Sequence, residues 1–391
     1  VDQAGARPKY EFADGLRALA ALMVAVLHAT TFTGHTGDAD RNLPAIAWIT
    51  EVGNYAVPIF ICLSGYVLML PIAKTTNYEL RGGFWKYILR RAKRILPPYY
   101  ASLLLFGAMI AFVPLMQTGH DTAWYNKVPV TIEGVVSHIF LVHTWNTDWI
   151  YQISGPIWSV ATEWHIYFIL PLVLLPLCRW FNPWIMAGVA LCIGPALTYF
   201  LPELGSGNYW MVGIFALGML AALITVRGSR IPTKLFGWAS VIFLAIAVFW
   251  MIVFTPHNVV EQLSSDTLVG LAIALGLASM GRAVIEGRMN LGRRVLEWRP
   301  LVRIGLWSFS IYLIHSPLLA LANILMLPLD LPTLVNWLVM VLLVLPVVLA
   351  VSFGFFLLVE RHFITSHQKR AIAVEMPSVV EPSGDGDRSA R

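Results

Sequence analysis

Long runs of apolar residues, separated by short polar stretches, dominate this chain. A helix needs about 20 mainly apolar residues to cross the hydrocarbon core of a bilayer. Ten runs meet that length, near 14–33, 46–72, 98–117, 155–178, 183–201, 209–226, 235–254, 267–285, 301–326 and 334–359. A further apolar piece, EGVVSHIFLVHTWN at 133–146, is too brief to cross and carries His138 and His143, so it reads as an interfacial or re-entrant helix. The pattern predicts an all-α fold, a polytopic transmembrane bundle of about ten spans. Residues 1–365 form the membrane-embedded domain. From Ser366 onward the chain turns polar and ends EMPSVVEPSGDGDRSAR, which predicts a disordered tail over 366–391 rather than a second globular domain.

Composition agrees. With 391 residues, 58% hydrophobic and only 13% charged, the chain has too much apolar surface for one water-facing domain. The formal net charge of +5 would suit nucleic acid in a soluble protein, but in a polytopic chain it belongs to cytoplasmic loops. Nucleic acid is therefore not an expected partner; the lipid bilayer is. Placing the N-terminus inside leaves only Arg41 and Lys127, of 27 lysines and arginines, on the outer side. The positive-inside rule thus predicts both termini cytoplasmic and a multi-pass protein of the cell membrane. The polar first thirteen residues and the lack of a small-residue cleavage site argue against a removed signal peptide. Cys62, Cys178 and Cys192 lie in apolar runs without paired spacing, so they read as small core residues, and no metal site is expected.

Three stretches carry chemistry. In GLRALAALMVAVLHATTF, residues 15–32, Arg17 and His28 are eleven residues apart. That returns to nearly the same helix face about 16 Å further along. Ionisable side chains in a span are costly and usually face a cavity or partner. An interfacial Asp14–Arg17 pair and a structural histidine remain the plain alternatives. In FWKYILRRAKRILPPYY, residues 84–100, Phe84, Trp85, Ile88, Ala92, Ile95 and Leu96 share one face while Lys86, Arg90, Lys93 and Arg94 occupy another. This predicts an amphipathic surface helix ended by Pro97 and Pro98, serving either as a lipid anchor or as a phosphate site. In GPIWSVATEWHIYFILPL, residues 155–172, Glu163 falls at a depth close to that of His28, which makes it the expected partner that orients the imidazole; a purely structural hydrogen bond is the alternative. On residues alone, a secondary transporter of a small polar solute or a ligand-gated membrane sensor stays open beside an enzyme.

These stretches, together with PIFICLSGYVL and IGLWSFSIYLIHSPLL, resemble the ordered signatures of the acyltransferase-3 family of integral membrane acyltransferases. Arg17 and His28 match its pattern of a basic residue, ten intervening residues and histidine, and Arg91 and Arg94 match its arginine-two residues-arginine pattern. The resemblance is to the standalone type, without the SGNH-type hydrolase-like domain that some members carry. It implies transfer of an acyl group, commonly acetyl, from cytoplasmic acyl-CoA to a hydroxyl of a glycan, glycolipid or glycosylated metabolite. No permanently bound cofactor is implied. His28 takes the candidate catalytic position, supported by Glu163. Arg17, Arg91, Lys93 and Arg94 would hold the phosphates of coenzyme A. Ser64, Gly65 and Ser159 are candidates for lining the path of the acyl donor or the acceptor site, and His315 could assist the acyl group or the acceptor.

Overall fold

The computed structural model describes residues 9–200, 207–254, 259–364 and 366–376. All regular elements among them are helical. The principal helices are α1 (Glu11–Thr31), α2 (Ala56–Ile72), α3 (Gly83–Phe112), α4 (Ile132–Ile139), α5 (Trp158–Ile169), α6 (Pro183–Phe200), α7 (Met211–Arg227), α8 (Thr233–Phe254), α9 (Val259–Ile285), α10 (Ser308–Met326), α11 (Leu345–Leu358) and α12 (Ser366–Glu375). Short helical pieces lengthen the spans of α2, α5 and α11 to Pro44–Ile72, Gly155–Trp180 and Thr333–His362. Nine spans among the described residues are long and apolar enough to cross a membrane, and α7 is a shorter apolar helix of 17 residues. The chain is a multi-pass membrane protein whose helices follow the ten apolar runs. The loop helix α4 has only eight residues.

Helix α7 is apolar all round and buried along almost its whole length, because α2, α6 and α9 pack around it. Its contact with α2 is backbone to backbone. A Cβ on Gly65 would lie 2.1 Å from the Phe215 carbonyl oxygen, and one on Gly218 would lie 1.9 Å from that of Cys62. Gly65 is thus a packing position and lines no path, as expected where small residues let membrane helices approach closely. Helix α1 packs against α2, α10 and the short helix Arg299–Gly305. The π-helical turns Leu170–Leu174 and Met340–Val344 precede Pro176 and Pro346. Each proline withdraws an N–H from the helical ladder, and the widened turn falls where that bond is missing.

Three expectations need correction. Pro97 and Pro98 do not end the basic helix; α3 runs unbroken through both, so the basic stretch and the third span are one helix. Membrane helices accommodate interior prolines where neighbouring groups re-satisfy the freed carbonyls. Residues 366–375 form α12, which rests on the Arg299–Gly305 helix with Arg303 Nε 3.5 Å from Glu375 Oε2. The predicted tail beyond residue 376 lies outside the described residues. Cys62 and Cys178 are buried, but Cys192 is exposed on its helix.

Candidate active site

Helix α1 carries the two groups that define the site, at two depths. Near its start, Arg17 forms an ion pair with Asp14, one turn away. Near its end, His28 Nδ1 lies 2.8 Å from His315 Nε2 on α10. The tautomers follow from the network. His315 Nδ1 is 2.9 Å from the Ile311 carbonyl, an obligate acceptor, so that nitrogen carries the proton and donates. His315 Nε2 then offers its lone pair in the neutral ring, and His28 Nδ1 must be the donor to it. His28 Nε2 is left with a lone pair and no hydrogen bond to any described residue. Such an imidazole can accept a proton. The imidazolium formed would keep its Nδ1–H bond to His315, strengthened by the charge.

Glu163 does not fill the role expected of it. Its Oε1 accepts a hydrogen bond from the Tyr167 hydroxyl at 2.6 Å, and that hydroxyl lies 3.3 Å from Ser64 Oγ on α2. Glu163 and Tyr167, four apart on α5, share a face turned toward α2 and α3, away from His28. Ser159 Oγ meets the Tyr312 hydroxyl at 2.6 Å, and Tyr312 also donates to the Pro156 carbonyl at 2.7 Å. This clasp fixes α10 one turn before His315 and so holds the ring that His28 leans on. Both histidines and both clasps lie on helices that pack directly against one another or through a single neighbour.

The second cluster lies toward the start of α1. On α3, Tyr87, Arg91 and Arg94 fall four and three residues apart and turn inward, while Lys86, Arg90 and Lys93 are exposed. The amphipathic reading is corrected here: Arg94 leaves the solvated face, Trp85 takes an exposed position at 74%, and Lys93 stands apart from the inward arginines. Arg94 lies within electrostatic reach of Arg17, Arg91, Tyr167 and Glu360. Arg91 Nε is buried with no hydrogen-bond partner, and neither Arg91 nor Arg94 forms an ion pair with a described residue. Buried donors without acceptors are costly, and three guanidinium groups in one cluster repel each other. Such a cluster has the charge and the donors to hold an anion with several oxygens.

Sequence reading missed three residues here. Tyr167 was visible in principle as the i+4 neighbour of Glu163. Glu360, buried at 4% exposure, accepts from the backbone N–H of Ser310 at 3.1 Å and from its hydroxyl, and sets a carboxylate near Arg94. Its signal was an acid just after the apolar run of α11. Lys127, one of two cations counted to the outer side, lies in the loop before α4; burial lowers its amine to about 8, and its charge acts on His28. In the same loop the buried His138 and His143 rings stack 3.8 Å apart, and burial lowers them to about 4 and about 2, so both are neutral packing groups.

The acyltransferase domain family matches residues 10–357 of this chain. Acyltransferase MdmB of Streptomyces mycarofaciens is 27% identical over 327 residues, 77% of this chain and 76% of that protein. The putative peptidoglycan O-acetyltransferase YrhL of Bacillus subtilis is 24% identical over 339 residues, covering 79% of this chain and 48% of that protein. The peptidoglycan O-acetyltransferase OatA of Listeria monocytogenes is 22% identical over 345 residues, 79% of this chain and 49% of that protein. The chain spans about half the length of these last two relatives. No solved structure matches it.

Proposed function

This chain belongs to the acyltransferase family over residues 10–357 and is an acyltransferase; from that premise we propose that it moves an acetyl or other short acyl group from acyl-CoA to a hydroxyl of a carbohydrate or glycosylated acceptor. The transporter and sensor readings give way to the family. The observation that carries the proposal is the pairing of a cluster of inward arginines toward the start of α1, with Arg91 Nε buried and unpartnered, with an imidazole near the end of α1 whose Nε2 has no hydrogen bond to a described residue. Eleven residues of helix separate Arg17 from His28, about 16 Å. An extended pantetheine arm covers such a distance. Acyl-CoA would enter from the cytoplasmic side, its phosphates held by Arg17, Arg91 and Arg94, with Lys93 adding only long-range attraction.

In the reaction, the acceptor hydroxyl gives its proton to His28 Nε2 as its oxygen bonds to the thioester carbonyl carbon. The carbon–sulfur bond then breaks, and the proton passes from His28 to the leaving thiolate. His315 keeps His28 in the tautomer that exposes the lone pair. Free thiol release by purified protein in nanodiscs, dependent on both acetyl-CoA and a glycoside acceptor, tests the proposal. Acetyl-CoA left intact under those conditions, with His28→Ala indistinguishable from the parent, would remove it.

A further inference from the structure

A cavity of about 300 Å3 opens between the far end of α1, the segment leading into α2, and the loop before α4. Its size is at the lower end of the range for small-molecule sites, which is about 300–1,000 Å3. Leu27 and Thr31, which flank His28 on α1, form one wall. Lys127 forms another and lies within electrostatic reach of His28.

The remaining walls have a definite sign. Asp40 and Glu51 both line the cavity, both are exposed, and each lies within electrostatic reach of the other. Neither forms an ion pair with a described residue. The Lys127 ammonium does not neutralise them; it donates to the Ala123 carbonyl at 3.0 Å and to the Asn126 side chain. Among the described residues, Glu51 accepts from the Asn54 amide alone. Two carboxylates facing one hollow raise its energy, and a cation placed between them lowers it. Tyr125, 59% exposed, adds an aromatic face suited to the apolar side of a sugar ring or to a cation.

We infer that this cavity anchors the acceptor, and that it takes a hydroxyl-bearing molecule with a protonated amine, an amino sugar or a compound carrying one. This rests on the acyl-transfer reading above. The amine sits between Asp40 and Glu51, the ring lies on Tyr125, and Lys127 turns the amine away from its own side and the hydroxyl toward His28. An anionic sugar meets the two carboxylates and is rejected.

The test uses three probes, methyl glucosaminide, methyl glucoside and methyl glucuronide, titrated at low salt into the full chain in nanodiscs. The amino glycoside should bind roughly ten-fold tighter than the neutral one, the glucuronide should bind weakest, and the preference should shrink as salt rises. Asp40→Asn with Glu51→Gln should bring the amino glycoside to the level of the neutral probe. If the double variant does not accumulate in membranes, Asp40→Asn alone, at an exposed position, should reduce the preference about three-fold. Equal binding of the three probes, binding of none, or a preference that survives the substitutions overturns the inference. Thiol release from acetyl-CoA is recorded separately. Selective binding without release leaves the cavity assignment standing and sinks the acyl-transfer reading; release without selectivity does the reverse.

Discussion

The two ends of α1 solve the problem of polar groups in a membrane in opposite ways. Around His28 the groups form an ordered hydrogen-bond chain: each bonded nitrogen has one partner, and a clasp from Ser159 to Tyr312 fixes the helix behind the pair. Around Arg17 and Arg94 they are charged and incompletely satisfied, with Arg91 Nε buried and unpartnered. An ordered network with one open nitrogen suits a group whose proton must move at a defined atom. An open cationic cluster suits a ligand that brings its own charge. On the proposed function, chemistry belongs to one end and donor binding to the other, and substitutions at the two ends should alter different kinetic constants.

The largest effect belongs to the ordered end. His28→Ala should lower kcat by roughly 10²- to 10⁴-fold while acyl-CoA binding, measured by titration, stays near that of the parent. Next, His315→Ala should lower kcat roughly 10- to 100-fold through loss of the tautomer, and His315→Gln, whose Oε1 can still accept from His28 Nδ1, should recover part of it. No such recovery would reduce His315 to a packing residue. At the cationic end, Arg91→Lys and Arg94→Lys keep the charge and lose the fork, and each should raise KM for acyl-CoA several-fold with little change in kcat. Lys93→Arg should be almost silent. Equal sensitivity of Lys93 and Arg94 would return the helix to the lipid-anchor reading.

Those contrasts also show what was legible in the sequence. Span positions were, since bilayer thickness sets a minimum apolar length and all ten runs became helices. The face of α3 was not. The amphipathic rule sends cations toward water, and Arg94 instead turns inward beside Arg17 and Arg91. Nor was the partner of His28. Depth can be read by counting residues from a helix end, but azimuth depends on how α1, α5 and α10 pack, which couples residues 287 positions apart. Glu163, expected beside His28, faces Tyr167 instead.

The smallest effect separates the loop from both ends. Burial lowers the Lys127 amine from 10.5 to about 8, so the folded protein disfavours its charged form. The cost is fully present below about 8 and fades as pH rises from there toward the ordinary lysine value. Lys127→Met should therefore raise Tm relative to the parent at pH 7, and that advantage should shrink as the pH approaches 10. A Tm difference constant from pH 7 to 10 would mean that the ammonium is not what the burial penalises.

The central claim is that His28 and His315 act as one unit, a base and the group that fixes its tautomer. The most direct measurement is the double-substitution cycle of His28→Ala and His315→Ala on kcat, with acyl-CoA binding recorded for all four proteins. If the two act as a unit, the double variant is no slower than His28→Ala alone, because His315 has nothing left to orient. Losses that multiply in full, with donor binding intact throughout, would show two independent contributions and contradict the claim.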